Sequence, residues 1–515
     1  MDETERARIQ VFLNDPEGRG EEPVEEDAPL DTEKAPWGFR VAGTAPAQGD
    51  YAPDTPQFLY WQISASLDRG KRLWTERLPG AGEWIPGPVL PAIPNAGTDL
   101  NAYYDRKALN FFQEKDAKTG RLVESGESTD IVCHEQGHAV LDSVRPDLWD
   151  APHFEVAAFH EAFGDLAAIS VALALPRLAS EVDTETRSDP SRSNLVSRLA
   201  EELGAAVRDK YGPDAAPAGA LRDAVNDFRY IDPKSLPDDA PDRALSAEPH
   251  SFSRVMTGTC WQMLVTIFRE TQNPNRAEAL ATAARTLSFL LVGAARTAAS
   301  GADFYARLAR QIVRGARAAG VEYASRLADD LVRRRLLASP DVGDDLRSDE
   351  DPGVHAPEEG APISPELVHA IDRRLGPARG GEILTLASAR RPADPHDPPR
   401  VLRGRRRRDL MLHGREYGPA DGCAVEISDG FALSFSPRGF LLASRVHPAA
   451  DRDEEDAKAF VRFLARRRRI AGEDESGADS LRLVRERKSH KVVRERDGVR
   501  RLRRVWIAAA RRGES

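Results

Sequence analysis

Two histidines and a glutamate in one short stretch have the types and spacing that hold a metal ion. In IVCHEQGHAVLD, residues 131–142, His134 and His138 stand four apart and Glu135 follows the first histidine. Residues four apart share one face of an α-helix, so the two imidazoles can bind one ion. Glu135 is then in reach of a water molecule that the ion polarises. Chance alone gives this HExxH pattern roughly 0.02 times in such a chain, which favours a zinc site over an amphipathic helix with incidental histidines.

An acidic pair follows on the next helical stretch, AFHEAFGDLAA, residues 158–168. Glu161 lies 23 residues beyond His138, a separation that suits a helix, a loop and a second helix returning a carboxylate to the metal. Catalytic zinc requires such a third protein ligand and an open position for water. Asp165, one turn later, is placed to accept the free ring N–H of a ligand histidine. The alternative is a solvated acidic face, which the apolar neighbours disfavour.

The sequence HEQGHAVLD followed by HEAFGD resembles the thermolysin-like metallopeptidases, gluzincins whose third zinc ligand is a glutamate on a downstream helix. The resemblance covers roughly residues 99–315. It implies that His134, His138 and Glu161 bind Zn²⁺, that Glu135 is the general base, and that Asp165 supports a ligand. The implied activity is hydrolysis of peptide bonds in a peptide or protein substrate.

Other segments match the same family in the same order. DLNAYYD (99–105) resembles its substrate-binding edge strand, which implies backbone contacts from Asn101 and Ala102. GALRDAVNDF (219–228) resembles the segment in which Leu221 would line a side-chain pocket and Arg222 would brace a substrate carbonyl. PHSFSRVMTGTCWQML (249–264) resembles the segment with the second active-site histidine, here His250, a donor to the oxyanion.

Several positions depart from the family pattern. Trp149 stands where the family has a tyrosine that steadies the transition state, and its indole N–H can also donate a hydrogen bond. His160 replaces an asparagine that contacts a ligand. Asp130 matches a calcium ligand and is also placed to cap its helix. Ala172 replaces a glutamate that the calcium site needs, so the sequence does not support a complete site. We recognise no inhibitory prosegment.

The elements that must position these residues divide the chain into several parts. The pattern and the resemblance together predict an α+β fold, a two-lobed thermolysin-like zincin with an active-site cleft between the lobes and a small α+β domain after it. The expected parts are a disordered acidic segment (1–55), a β-rich N-terminal lobe (56–127), a helical lobe with the zinc site (128–338), a linker (339–364) and a basic α+β C-terminal domain (365–515). In the last part we expect hairpin turns at 429–430, 437–439 and 497–498, and a helix over 453–470.

Charge, cysteine content and apolar runs restrict the partners. The net charge is −10, yet residues 401–515 contain 28 Lys and Arg against 18 Asp and Glu. RGRRRR (403–408) and ARRRRI (465–470) lie in this basic part, but nearby acids dilute them and we do not expect nucleic-acid binding.

Three scattered cysteines imply no disulfide framework. The most apolar run, LSFLLVGAA (287–295), is too short to cross a bilayer, and the first residues lack the features of a secretory signal. We therefore expect a cytoplasmic protein with no membrane span, although export by another route stays open.

Three functions remain open on the sequence. The first is an active zinc endopeptidase, which the retained Glu135 favours because a purely structural zinc site needs no base. The second is a zinc-binding scaffold without peptidase activity. The third is a binding protein that acts through residues 365–515. The oligomeric state and the substrate preference are not indicated.

Overall fold

The computed structural model describes residues 8–16, 22–342, 347–356, 364–375, 382–388, 400–435, 440–447, 451–475, 477 and 479–508. Over these residues the chain has an α+β fold, as predicted. The α-helices are α1 (Pro56–Arg77), α2 (Thr129–Val144), α3 (Phe154–Ala174), α4 (Pro176–Thr186), α5 (Glu201–Tyr211), α6 (Pro249–Glu270), α7 (Arg276–Thr297), α8 (Phe304–Ala318), α9 (Ala324–Arg333), α10 (Pro365–Leu375), α11 (Asp451–Arg466) and α12 (Ser480–Arg485). The strands are β1 (Arg8–Val11), β2 (Val24–Asp27), β3 (Gly38–Val41), β4 (Val89–Ile93), β5 (Ala102–Tyr104), β6 (Leu109–Phe111), β7 (Gln113–Lys115), β8 (Leu122–Glu124), β9 (Arg198–Leu199), β10 (Arg222–Asp223), β11 (Arg347–His355), β12 (Glu382–Ser388), β13 (Arg400–Met411), β14 (Ala424–Phe435), β15 (Phe440–His447), β16 (Ile470–Ala471), β17 (His490–Arg494), β18 (Arg500–Arg504) and β19 (Ile507–Ala508).

Local side-chain chemistry sets where the two helices nearest the proposed metal site begin. Ser128 caps α2, because its hydroxyl accepts a hydrogen bond from the backbone N–H of Ile131 at 3.4 Å. The expectation that Asp130 caps this helix is wrong: Asp130 lies in the first turn, and its Oδ2 accepts from the backbone N–H of Ala200 at 3.3 Å. Helix α3 follows a short turn, and nearly all of its side chains are buried.

Helices α3 and α7 are long and apolar enough to cross a bilayer. The most apolar window of α3 is 94% buried inside the protein, however, and that of α7 is 56% buried. Burial of this extent is typical of helices that form a hydrophobic core. Helix α3 packs against α2 on one side and against α6 and α7 on others, so it is the central helix of this body.

A five-stranded sheet covers one side of the helical body, in the order β19-β5-β6-β4-β3. Strands β3, β4 and β6 run parallel, and β5 is antiparallel to β6. The outer strand β19 comes from the far end of the described chain and pairs antiparallel with β5. A second sheet, of eight strands, contains β11 to β18 and belongs to the C-terminal region.

Three predicted boundaries are wrong in the N-terminal half and the linker. Residues 8–16 and 22–55 are ordered rather than disordered: β1 and β2 form a hairpin, and Ile9, Val11, Trp37 and Phe39 are fully buried. Residues 56–77 form the helix α1 instead of strands, so the predicted β-rich lobe is only partly β. The predicted linker 339–364 contains strand β11, which pairs with β15.

Predictions for the C-terminal part have mixed outcomes. The turn at 497–498 is confirmed, because β17 and β18 form an antiparallel hairpin around it. Helix α11 confirms most of the predicted helix. The turn predicted at 429–430 is wrong, since β14 runs straight through Asp429 and Gly430. The turn predicted at 437–439 lies outside the described residues, between the antiparallel strands β14 and β15.

The arginine-rich segments have acidic partners within the chain. RGRRRR lies in β13, which is paired on both sides by β12 and β14. The ion pairs of the two segments are Arg405–Glu426, Arg406–Asp429, Arg407–Glu426, Arg408–Glu454, Arg466–Asp238 and Arg467–Asp239. These positive charges therefore face acidic groups of the chain itself, and two of them link the C-terminal region to Asp238 and Asp239.

Candidate metal centre

The helix pair α2 and α3 brings His134, His138 and Glu161 together, as the sequence predicts. One ligand atom from each of the three residues lies within 4.8 Å of the other two. His134 Nε2 is 3.6 Å from Glu161 Oε2, and the two imidazole rings are 4.6 Å apart between centroids. All three side chains are buried. We call this group the His-Glu cluster.

The hydrogen bonding of this cluster fits a metal ion. His134 Nε2, both ring nitrogens of His138 and Glu161 Oε2 are buried without a hydrogen-bond partner. Leaving such polar atoms buried and unpaired costs free energy, so native proteins rarely do it without a ligand. Two imidazoles and one carboxylate are the donor set of a catalytic zinc site, with ligand atoms about 2.0–2.2 Å from the ion. The 3.6 Å between His134 Nε2 and Glu161 Oε2 is close to the separation that such bond lengths require.

Two glycines that the sequence reasoning missed allow the helices to approach this closely. A β-carbon at Gly137 would lie 2.7 Å from that of Ala167 on α3. One at Gly164 would lie 2.6 Å from Cε1 of His134. The imidazole of His134 thus packs directly on the backbone of α3. In the sequence these residues appear only as G in HEQGH and in AFGD, and a helical glycine gives no sign of what it contacts.

Asp165 and Arg222 support His134 from the side away from the cluster. Asp165 Oδ1 lies 3.1 Å from His134 Nδ1, which is the contact predicted for it. Arg222 donates from Nη2 to the same oxygen at 2.7 Å and from Nε at 3.0 Å. Burial alone would raise the pKa of Asp165, but the charge of Arg222 and the hydrogen bond from His134 lower it to about 2. The guanidinium of Arg222 is thus engaged by Asp165, where the sequence predicted a substrate contact.

Glu135 is the residue predicted as general base. Its side chain is completely buried, and neither carboxylate oxygen has a hydrogen-bond partner. Burial raises the pKa of Glu135 to about 8. A carboxylate this poorly solvated is a stronger base than one in water, which suits it to proton transfer near neutral pH. Burial likewise lowers the pKa of His138, so this imidazole is neutral and free to act as a ligand.

His250 lies at the start of α6 and reaches the cluster. Its Nε2 is 3.3 Å from Glu161 Oε2, and its Nδ1 donates to Glu248 at 2.6 Å. Burial alone would lower the pKa of His250, but the two glutamates raise it to about 9. Both ring nitrogens face acceptor oxygens, so each is placed to donate a hydrogen bond. Its second donor, Nε2, points to the backbone carbonyl oxygen of Ala508, 2.6 Å away.

Trp149 and His160 lie beside the cluster but differ from their predicted roles. The indole N–H of Trp149 donates to the carbonyl oxygen of Arg504 at 3.3 Å, so it is not directed at an open substrate position. The ring of His160 is fully buried, 6.1 Å from that of His138 and 6.2 Å from that of Trp149 between centroids. No hydrogen bond joins His160 to His134, His138 or Glu161, so the ligand contact considered for it is absent among the described residues.

The predicted substrate-binding residues surround the cluster. Asn101 is buried directly before β5, and Ala102 is the first residue of that strand. Leu221 and Arg222 line a small depression together with His250 and Arg254. The depression adjoins His250, so the residues predicted to line a side-chain pocket do lie next to that histidine. The outer edge of β5, however, is already covered by β19.

A second group of possible metal ligands lies elsewhere, and we call it the carboxylate cluster. Oxygens of Asp54, Glu124 and Glu127 are within 4.8 Å of one another. Asp54 is exposed, and Glu127 accepts a hydrogen bond from the backbone N–H of Asp54 at 2.8 Å. Asp130, the residue that resembled a calcium ligand, belongs to neither cluster among the described residues.

No protein-family model matches this chain, and no curated protein matches it.

Proposed function

We propose that the protein is a zinc-dependent endopeptidase with the two-lobed, thermolysin-like arrangement that its motifs resemble. The single observation that carries this proposal is the His-Glu cluster, whose buried ligand atoms lack hydrogen-bond partners while Glu135 sits beside them. His134, His138 and Glu161 would hold the ion. Zinc bound there supplies a Lewis acid that polarises a water molecule and lowers its pKa.

The chain's own residues supply the remaining chemistry. Glu135 takes a proton from the attacking water and passes it to the leaving amine. His250, whose Nδ1 is held by Glu248, donates from Nε2 to the oxygen that becomes negative in the transition state. Asp165 holds the ring of His134 through Nδ1, and Arg222 keeps Asp165 ionised. A substrate strand would bind along β5, with a side chain in the depression lined by Leu221.

Hydrolysis of casein by the purified, zinc-loaded protein tests this function, beside a Glu135→Gln variant. We expect cleavage by the wild type and a loss of at least about a hundredfold in the variant, the range for removal of a general base. Zinc per chain, measured by mass spectrometry of the metal, should be equal in both. Glu83→Gln is the matched control, because Glu83 is exposed and lies far from the cluster in sequence. Equal cleavage by wild type and Glu135→Gln would refute the proposal.

A zinc-binding scaffold without turnover is the second candidate. The observation that favours it is that the edge of β5 and the N–H of Trp149 are both engaged by the chain itself. The scaffold is supported if zinc binds but the wild type does not cleave casein, and if a variant whose β5 edge has been freed does not cleave it either.

A further inference from the structure

The last described strand closes the edge at which a substrate strand would add. Ile507 pairs with Tyr104 and Ala508 with Tyr103, antiparallel to β5. On its other edge β5 is paired with β6, so β19 occupies the remaining edge at Tyr103 and Tyr104. An extended peptide that binds by adding a strand needs those same positions. The strand and a substrate therefore compete for one edge.

The contact with His250 places this strand against the proposed reacting groups. Ala508 offers its carbonyl oxygen to Nε2 of His250 at 2.6 Å, and the same nitrogen lies 3.3 Å from the ligand oxygen of Glu161. Ala508, Asn101, Glu161 and His250 all line one cavity. A backbone carbonyl in this position makes the contact expected of a substrate carbonyl in the catalytic mechanism.

Several contacts anchor the strand in place. Asp150 accepts from the backbone N–H of Arg504 at 2.8 Å and from the guanidinium of Arg503 at 3.3 Å. The indole of Trp506 donates to the carbonyl oxygen of Lys488 at 2.9 Å, and its ring packs beside Tyr103. Trp506 is 9% exposed and Ala508 only 2%, so both residues are buried in the docked strand.

We propose that residues 505–508 are an internal competitor, bound in the groove as a substrate strand would be, and that they keep the peptidase site closed while docked. The proposal rests on the proposed function. The competitor binds without being cut. A released strand leaves the edge of β5 and the Nε2 donor of His250 open to an extended peptide with apolar residues. Opening the groove changes access to the site and leaves the zinc ligands as they are.

The test loosens the strand in the full chain without altering any group given a catalytic role. Asp150→Ala removes one anchor, and Asp150→Ala with Trp506→Ala removes two. Asp238→Ala is the matched control, because Asp238 forms a similar aspartate–arginine contact, with Arg466, between the same two regions. Cleavage of a fluorogenic peptide is measured for each zinc-loaded variant, and thermal melts confirm folding; the single variant serves if the double one does not fold.

An internal competitor reduces apparent substrate affinity by the fraction of open molecules, so we expect KM to fall with kcat unchanged and kcat/KM to rise roughly tenfold. Asp238→Ala should match the wild type. The acetylated, amidated peptide Val-Trp-Ile-Ala, the sequence of residues 505–508, should inhibit the loosened variants competitively, and the reversed peptide should not. Folded, zinc-bound variants that cleave with wild-type KM would overturn the proposal and leave the proposed function standing.

Two other outcomes have separate meanings. If intact-mass measurement shows Glu135-dependent loss of a C-terminal peptide from the full chain, the strand is a substrate and the proposal of an uncut competitor is overturned. If no variant cleaves although zinc is bound, the proposed function fails. Occupancy of the groove is then decided by a fluorescein-labelled Val-Trp-Ile-Ala peptide. Tighter binding to the loosened variants than to the wild type supports occupancy, and equal binding overturns it.

Discussion

The His-Glu cluster and the carboxylate cluster both bring three ligand-type side chains within 4.8 Å, yet they satisfy their polar atoms in opposite ways. In the His-Glu cluster every residue is buried, and ring nitrogens and a carboxylate oxygen lack partners. In the carboxylate cluster Asp54 reaches solvent, and neither Glu124 nor Glu127 has a buried oxygen without a partner. Both clusters bring ligand-type residues close together. Only the His-Glu cluster contains buried polar atoms without hydrogen-bond partners.

The difference between the clusters shows which buried atoms require a bound cation to be satisfied. In a dry interior the unprotonated nitrogen of a neutral imidazole is satisfied only by a donor or a metal, and neither nitrogen of His138 has a hydrogen-bond partner. Buried carboxylates have another route, because they can take up a proton. Burial raises the pKa of Glu127 to about 8, and it also raises that of Glu124. Protonation is therefore an alternative to a bound ion for Glu124 and Glu127.

The largest expected effect is on zinc content. His138→Ala removes one of three ligands, and we expect bound zinc to fall from about one ion per chain to almost none after dialysis. Glu124→Ala should leave the zinc content unchanged, because it alters only the carboxylate cluster. Metal analysis of the dialysed proteins checks both variants. His413→Ala, at an exposed position, controls for the loss of a histidine as such. Zinc lost equally from the His138 and Glu124 variants would remove the distinction between the clusters.

A smaller effect is expected from the helix packing that sets the His-Glu cluster. Gly164→Ala places a methyl group 2.6 Å from the ring of His134, so the helices or the ring must shift. We expect a loss of roughly 1–3 kcal/mol in the free energy of unfolding, typical of overpacking, together with weaker zinc binding. Gly293→Ala is the matched control, since it is a helical glycine with open space around its α-carbon, and it should stabilise by about 0.5–1 kcal/mol. Denaturant unfolding and a zinc titration with a competing chelator measure both effects. Unchanged zinc affinity in Gly164→Ala would show that the close approach of the helices is not needed.

The sequence predicted the His-Glu cluster well because its information is local. Two histidines at helical spacing and a carboxylate on the next apolar helix need only the 3.6-residue period to be brought together. The long helix α1 was mistaken for strands because its start, QFLYWQIS, is rich in aromatic and β-branched residues that favour sheets. The helical period becomes clear only over the full 22 residues, where Phe58, Ile63, Leu67 and Trp74 are buried.

The closure of the β5 edge could not be predicted from the sequence. Strand β19 has only two residues and pairs with a strand some 400 positions earlier, so no local pattern connects them. The order of residues 8–16 and 22–55 was missed for a related reason. Their composition suggests disorder, but a few fully buried side chains, such as Trp37 and Phe39, bind the segment to a core made by distant residues.

The smallest expected effect is on the pH dependence of stability, and it concerns Glu127 in the carboxylate cluster. The pKa of Glu127 is raised from 4.5 to about 8 by burial, and by the charges of Glu124 and Asp54, so folding favours its neutral form. Its stabilising contribution is fully present below pH 4.5, where the carboxyl is neutral in both states, and is lost as the pH rises through about 8.

In Glu127→Gln the amide oxygen still accepts from the N–H of Asp54, and no proton is released. We therefore expect the variant to be more stable than the wild type by roughly 2 kcal/mol at pH 9, after allowance for solvent screening, and nearly equal to it at pH 4.5. Thermal melts between these pH values measure the difference. Parallel pH profiles for the two proteins would mean that Glu127 is ionised in the fold, and that the carboxylate cluster, too, needs a cation.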